Sequence, residues 1–292
     1  MNLEERRNTF GNCVSLNDAV VLIREGGVCH KNYTFYTSLD RVQSMLVEKI
    51  PCMWLTRIDA EKFDDLLESR KYGTKGMEKQ RKTFIRCFSY GLRESAAMWG
   101  LYCPLTYKSI RVTIAEKAMR SLLGKGNPCF KVSKKGPMQT TCSASKEFSD
   151  VIYAAVKMND EEVGRSNNLY WNGTFSKKIP SLCKDRCRAI AAGRIKDIEW
   201  SFENESRLVV TTTKSQKLDH VAIALTPEFI EAMSFTLSPW ANDDEEQFVR
   251  DKVVEWLQIA GRKNISSKAK DLFRPSTLKG ALRKWAEQKG LA

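Results

Sequence analysis

Glu203, Glu205 and Arg207 stand at alternate positions of one stretch, residues 198–210. In an extended chain successive side chains point to opposite sides. Read as a strand, the stretch puts Ile198, Trp200, Phe202, Leu208 and Val210 on one face. Glu199, Glu203, Glu205 and Arg207 share the other. Carboxylates this close repel unless Arg207 or a ligand compensates them. Such a face can hold a hydroxyl, steady a developing positive charge or take a proton. It can equally be a structural ion-pair network in which Arg207 pairs with both glutamates.

Other chemistries find less support. His30 and His220 are the only histidines, which disfavours a Ser-His-Asp triad, and no G-x-S-x-G is present. Neither a P-loop nor a G-x-G-x-x-G occurs, and Gly124-Lys125-Gly126 lacks the strand–loop–helix context. A metal-dependent nuclease would need Asp64, Asp65 and Glu68 to meet Glu203 and Glu205. Nine cysteines, an odd number, argue against a disulfide framework, and Cys183 with Cys187 makes only a weak zinc site. Buried or idle thiols are the expectation.

The formal net charge is +13, which favours polyanionic partners such as nucleic acid. From residue 262 onward nine Lys/Arg face only Asp271 and Glu287. Arg262, Lys263, Lys268, Lys270, Arg283 and Lys284 are the residues that would meet a nucleic acid. The competing and favoured reading is a docked terminal helix, with Leu278, Leu282 and Trp285 turned inward. No apolar run is long enough for a membrane helix, and the charged start lacks a signal-peptide core. A cytosolic protein is expected.

These residues need a scaffold. Residues 17–25 read as a short helix. Residues 33–37 and 51–56 read as strands, rich in aromatic and β-branched residues. Ser38 and Asp59 would cap the helices that follow, the first burying Val42, Met45 and Leu46, the second Phe63, Leu66 and Leu67. Residues 71–82 form a polar linker. Strands are predicted at 83–90, 109–114, 151–156 and 219–225, and helices at 94–102, 116–123 and 181–192. The strand at 109–114 alternates polar and apolar residues, as a half-buried strand should. Residues 126–146 are basic and poor in apolar groups, which predicts a long loop or mobile lid. Residues 158–178 read as irregular. Asn242 with Glu245 begins a capped helix whose stripe is Val249, Val253, Trp256, Leu257 and Ala260. The domain expectation is one α+β domain over 1–261 with a basic extension over 262–292.

Three stretches resemble a large bacterial family catalogued as a domain of unknown function and associated with abortive-infection loci. Phe63–Glu68 resembles its F-N-D-P-F-E segment, with Asp for Asn and Leu for Pro. Cys87-Phe88-Ser89 with Met98-Trp99 and Tyr102 resembles its C-F-S…M-W-x-x-Y segment. Glu199–Arg207 resembles W-x-Y-E-x-E-x-R. The agreement in order runs from about residue 33 to 265.

A more distant resemblance is to ADP-ribosyltransferases, which bind NAD in a cleft between two small sheets and carry a Glu, often as E-x-E, on a late strand. Phe35-Tyr36-Thr37 takes the early-strand place, with no Arg or His there. Ser89, Trp99 and Tyr102 take the second. That resemblance implies NAD as cofactor, with Tyr36, Thr37, Ser89, Trp99, Tyr102 and Arg207 around it. Breaking the nicotinamide–ribose bond passes through an oxocarbenium-like state. By analogy Glu205 holds the ribose 2′-hydroxyl and offsets the charge, while Glu203 orients the acceptor or takes its proton. Trp99, Tyr102 and Ser89 have plain structural alternatives. The expected fold is α+β, a mostly antiparallel sheet that could be split, with flanking helices. The expected function is an ADP-ribosyltransferase-like enzyme acting on nucleic acid or protein, as a toxin or phage-defence effector. The alternative is a non-catalytic nucleic-acid-binding or phage-sensing module with a protein partner.

Overall fold

The computed structural model describes residues 11–16, 19–24, 32–58, 81–91, 93–133, 136–157, 195–214, 219–263, 265 and 271–288. In chain order the elements are strands β1 (Gly11–Leu16), β2 (Ala19–Arg24) and β3 (Asn32–Ser38), helix α1 (Leu39–Val47), and strands β4 (Cys52–Arg57) and β5 (Thr83–Tyr90). Helix α2 (Ala96–Tyr102), strand β6 (Ser109–Ala115) and helix α3 (Glu116–Ser121) come next. Strands β7 (Cys129–Ser133), β8 (Gly136–Thr141), β9 (Ala144–Asp150), β10 (Ile152–Lys157) and β11 (Ile195–Asp197) follow. A 3-10 helix (Ile198–Glu203) leads into β12 (Glu205–Thr212), then β13 (His220–Ala224), α4 (Pro227–Ala232) and β14 (Ser234–Leu237). Helix α5 (Asp243–Ile259), β15 (Phe273–Arg274) and α6 (Ala281–Gln288) close the chain. The architecture is α+β, with mostly antiparallel strands in two sheets.

The chain forms two compact units, each assembled from separate stretches. The first takes Met1–Cys29, Leu55–Cys87 and Ser143–His220; the second takes His30–Trp54, Phe88–Cys142 and Val221–Ala292.

In the second unit the strand order is β15-β14-β6-β3, with the end of β5 beside β3. All these pairings are antiparallel except β14 with β15. Strand β3 forms here because Tyr33, Phe35 and Phe88 bury one another edge to face. Ser38 precedes α1 without a side-chain cap, and the helix is held instead by burial of Leu39, Val42, Met45 and Leu46. It packs on α5, which opens with a complete capping box between Asn242 and Glu245 and buries Val249, Val253, Trp256 and Leu257. Strands β7 and β8 make an antiparallel pair, and β13 lies on the other side of β7.

In the first unit β12 pairs with β9 from Ser206 to Thr212 and with β5 on its other side. Ile58, Ile85 and Val209 pack together there. The separate four-stranded sheet, β1-β2-β10-β11, is antiparallel except for β10 with β11.

Several expectations are corrected. The predicted helix at 17–25 is strand β2, paired with β1 and β10; its run Ala-Val-Val-Leu-Ile is β-branched and too short for periodicity to separate helix from strand. Residues 126–146 are not a loop but hold β7, β8 and the start of β9. Lys131 on β7 and Lys146 on β9 are part-buried strand positions, so the low apolar content of the stretch did not mark a loop. Strand β6 is buried at every position from Ser109 to Ile114 rather than half-buried. The predicted helix after Asp59, residues 71–80 of the linker predicted at 71–82, the irregular segment at 158–178, the helix at 181–192, Lys268 and Lys270 lie outside the described residues.

Candidate functional site

The stretch around Glu205 is not one strand. The 3-10 helix ends at Glu203, and Asn204 carries a positive φ of 45°. That left-handed conformation suits Asn better than most side chains. The extended chain starts at Glu205, so Glu203 does not share a strand face with it, and the proposed apolar face breaks at the same point. Phe202 is 46% exposed and tilts against Trp200, ring centroids 6.0 Å apart.

Beyond Asn204 the alternation holds. Glu205 and Arg207 project on one side of β12, and Arg207 grips the carboxylate with both arms of its fork. Its Nε donates to Oε1 at 2.6 Å and Nη2 to Oε2 at 3.1 Å. Arg207 is 1% exposed, Glu205 4% and Glu203 3%. Strand β12 is thus dry on both faces. The polar one is no solvated surface, and the guanidinium supplies the compensation that a buried carboxylate requires.

The other predicted contacts lie in the second unit. Tyr36, on β3, meets Trp99 of α2 edge to face at 5.0 Å, and its hydroxyl accepts from the Ser95 backbone N–H at 3.0 Å. Ser95 also caps α2, its Oγ accepting from Met98 N. Thr34, two residues before Tyr36, donates through Oγ1 to the Ser89 carbonyl at 3.2 Å. Trp99 is fully enclosed by Tyr36, Met98, Cys103 and Trp240, so no face is open for stacking on a ligand. Tyr102, at the end of α2, is 43% exposed. Thr37 is buried, and its Oγ1, like Trp240 Nε1, has no hydrogen-bond partner among the described residues.

Two residues that sequence reasoning passed over organise this cluster. Glu94 accepts from Trp99 Nε1 at 3.0 Å, Ser276 Oγ at 2.6 Å, Thr277 N at 2.6 Å and Thr277 Oγ1 at 2.9 Å. Arg111 stands opposite Tyr36 in the β3–β6 register, with its guanidinium 5.6 Å from the ring centroid. Its Nη2 donates to the carbonyls of Gly91 and Arg93. A lone Arg inside Ser-Ile-Arg-Val-Thr-Ile was the available signal: a cation on a fully buried strand must have a built partner.

The basic C-terminal stretch is docked. Leu278 and Leu282 pack on the Trp99 cluster. Arg262, expected to meet nucleic acid, is instead buried and donates to the Met233 carbonyl at 2.9 Å, with Glu231 at 3.7 Å. The Lys263 backbone N–H bonds Glu231. Lys279 is held between Asp243 and Glu246 at 2.8 and 2.7 Å. Lys263 and Lys284 are exposed, and Arg283 lies on α6. Among the described residues no helix is long and apolar enough to cross a membrane, and no cluster of His, Cys, Asp or Glu is arranged for a metal ion.

Burial sets an alkaline limit. In this cluster it pushes the Cys103 thiol up to about 12 and raises Tyr36 above its usual value, and beside Val132 and Ala222 it pushes Cys52 to about 11. Groups with raised folded values stabilise fully below their unfolded values, near 9 for a thiol, and lose that contribution as pH climbs. Cys142 runs the other way. A hydrogen bond from Cys129 and the charge of Lys131 bring it to about 7, so its contribution is present above 9 and fades as pH falls through 7. The unfolding free energy from urea titration is therefore expected to fall above pH 9, by up to about 1.4 kcal/mol per pH unit for each buried thiol. Cys103→Ala should flatten the alkaline limb.

No protein-family model and no curated protein matches this chain, so the motif resemblance stands on its own residues. Two solved structures were found similar, both of Thermus sp. 2.9 DarT. One, in complex with carba-NAD+, has a TM-score of 0.28 at 10% identity, over 86% of this chain and 95% of that chain. The other, in complex with ADP-ribosylated ssDNA, has a TM-score of 0.25 at 9% identity, over 84% and 92%. At these scores neither likeness assigns a family or an activity to this chain.

Proposed function

We propose that the chain is an ADP-ribosyltransferase-like enzyme that uses NAD to modify a nucleic acid or a protein, in the setting of a toxin or phage-defence effector. The observation that carries the reading is the buried Glu205–Arg207 pair with a second buried carboxylate, Glu203, two residues before it. A buried ion pair is a poor device for stability, since a well-packed apolar pair of the same volume does as well or better. Three acidic and basic groups kept dry in five residues suit a site better than a scaffold.

By the resemblance, the ribose 2′-hydroxyl would meet Glu205, whose carboxylate Arg207 orients through two donated bonds. NAD supplies a glycosidic bond to nicotinamide whose cleavage leaves positive charge on the ribose. Glu205 lowers the cost of that charge. Arg207 is a positioning residue that fixes the carboxylate in one rotamer. Glu203 takes the proton released by the acceptor. The net charge of +13 suits a polyanionic acceptor, and the motif resemblance supports the defence setting.

The test is nicotinamide release, with label transfer from NAD to DNA, RNA and protein, for wild type and Glu205→Gln side by side. Loss of one such charge-stabilising group is expected to lower turnover by about 10²-fold, with the circular dichroism unchanged. Wild type that neither releases nicotinamide nor shifts its melting temperature with NAD would overturn the enzyme reading.

A further inference from the structure

Cys129 and Cys142 are brought opposite each other by the β7–β8 pair. Phe130 faces Thr141 in the register, and one step outward the Cys142 N–H donates to the Cys129 carbonyl at 2.8 Å. Directly opposite residues in a hydrogen-bonded antiparallel pair have Cα atoms about 5.5 Å apart. That lies within the span of about 4.4–6.8 Å that a disulfide bridges without backbone movement. Both side chains lie on the same face of the pair, as opposite residues must, and the two sulfurs already share a hydrogen bond.

The two thiols differ in access and in electrostatics. Cys129 is buried, on a strand flanked by β13 on its other side. Cys142 is half-exposed just past the end of β8. Lys131 and the Cys129 S–H favour its thiolate, which brings it to about 7. The other two buried thiols of this unit, Cys52 and Cys103, are pushed far above neutrality and are inert by the same reasoning.

We infer that Cys129 and Cys142 form a reversible thiol-modification site, in which Cys142 reacts with a hydroperoxide and Cys129 resolves the product as an intramolecular disulfide. The Cys142 thiolate attacks one peroxide oxygen. The S–O bond forms, the O–O bond breaks, and the other oxygen leaves with the electron pair as an alcohol or water after taking a proton. The Cys129 sulfur then attacks the Cys142 sulfur. The S–S bond forms, the S–O bond breaks, and hydroxide leaves and takes the Cys129 proton as water. The dithiol loses two electrons and the peroxide gains them. The bridge fastens the end of β8 to β7, so its formation changes a fixed strand pair by a covalent bond and little else.

The full-length reduced chain would be treated with hydrogen peroxide and its peptides mapped without reductant. A Cys129–Cys142 cross-link that dithiothreitol removes is the expected result. Cys142→Ser should abolish the cross-link, and Cys129→Ser should leave a Cys142 sulfenic acid that dimedone traps. A second measurement needs no variant. At pH 7 a thiol near 7 carries about 50-fold more thiolate than one near 9, offset by about tenfold lower nucleophilicity. Cys142 should therefore react with iodoacetamide about fivefold faster in the folded chain than in urea. Wild type in which Cys142 goes to sulfinic acid while Cys129 stays reduced, or in which folding slows Cys142 alkylation, would overturn the inference.

Discussion

Arg207→Met is expected to lower stability by about 3–5 kcal/mol, the cost of breaking a buried ion pair by removing one member. Glu205 would keep a dry carboxylate on β12 with both of its bonds to Arg207 gone. The methionine fills most of the vacated volume, so the loss reports charge rather than a cavity. Arg207→Lys should recover only part of it, because an ammonium cannot reproduce the two-armed grip. The informative comparison is the pair Glu205→Leu with Arg207→Met. Removing both charges should restore the urea midpoint to near wild type, while any NAD turnover stays lost. That combination separates a pair kept for stability from a pair kept for chemistry. A single Arg207→Met variant less than about 1 kcal/mol below wild type would mean the pair is hydrated in solution.

Trp99→Ala should be comparably damaging, at about 3–5 kcal/mol for a large buried aromatic cut to a methyl group. The indole lies edge to face with Tyr36 at 5.0 Å and Trp240 at 6.0 Å, and its N–H holds Glu94. Glu94 is also what receives Ser276 and Thr277, and Leu278 and Leu282 rest on the same cluster. The damage should therefore reach the C-terminal stretch. Trypsin cleavage after Lys279 and Arg283 is expected to appear in the variant under conditions where wild type is spared. Tyr102→Ala, at an exposed position on the same helix, should change stability by less than about 0.5 kcal/mol. If trypsin spares the tail in a folded Trp99→Ala chain, the docking depends on Lys279 with Asp243 and Glu246 instead.

Sequence reading located most elements with clean local signals. β3, β5 and β6 announce themselves by β-branched and aromatic runs, and α5 by Asn242 with Glu245 and a helical apolar stripe. It failed where the decisive partner is distant. Residues 19–24 look helical in isolation and become a strand because β1 and β10 supply hydrogen bonds. β8 and β9 carry too little apolar content to be recognised, since one neighbouring strand, not a core, specifies them. At the site, the i, i+2 spacing placed Glu205 beside Arg207 correctly. It misplaced Glu203, because a left-handed Asn204 ends the alternation, and no composition rule demands that turn. Glu94 was legible only as the start of a helix; its four donors come mainly from residues 182 and 183 positions later in the chain. The short helix after Thr226, with Pro227 in its first turn and the hydroxyl accepting from Phe229 N, followed a legible start signal that went unread.

Neither unit is a continuous piece of chain. The first is not complete until His220 has been made, and the second draws on residues from His30 to the C-terminal end. During synthesis, β3 must wait for β6 and then for β14, about two hundred residues after it, before its sheet is whole. Such long closures make folding slow, because chain entropy is surrendered before the distant contacts repay it. A nascent chain stopped at residue 150 would leave β6 without β14 and β5 without β12. Cutting this protein into halves at any single point should therefore yield two insoluble fragments, and recovery should require refolding them together.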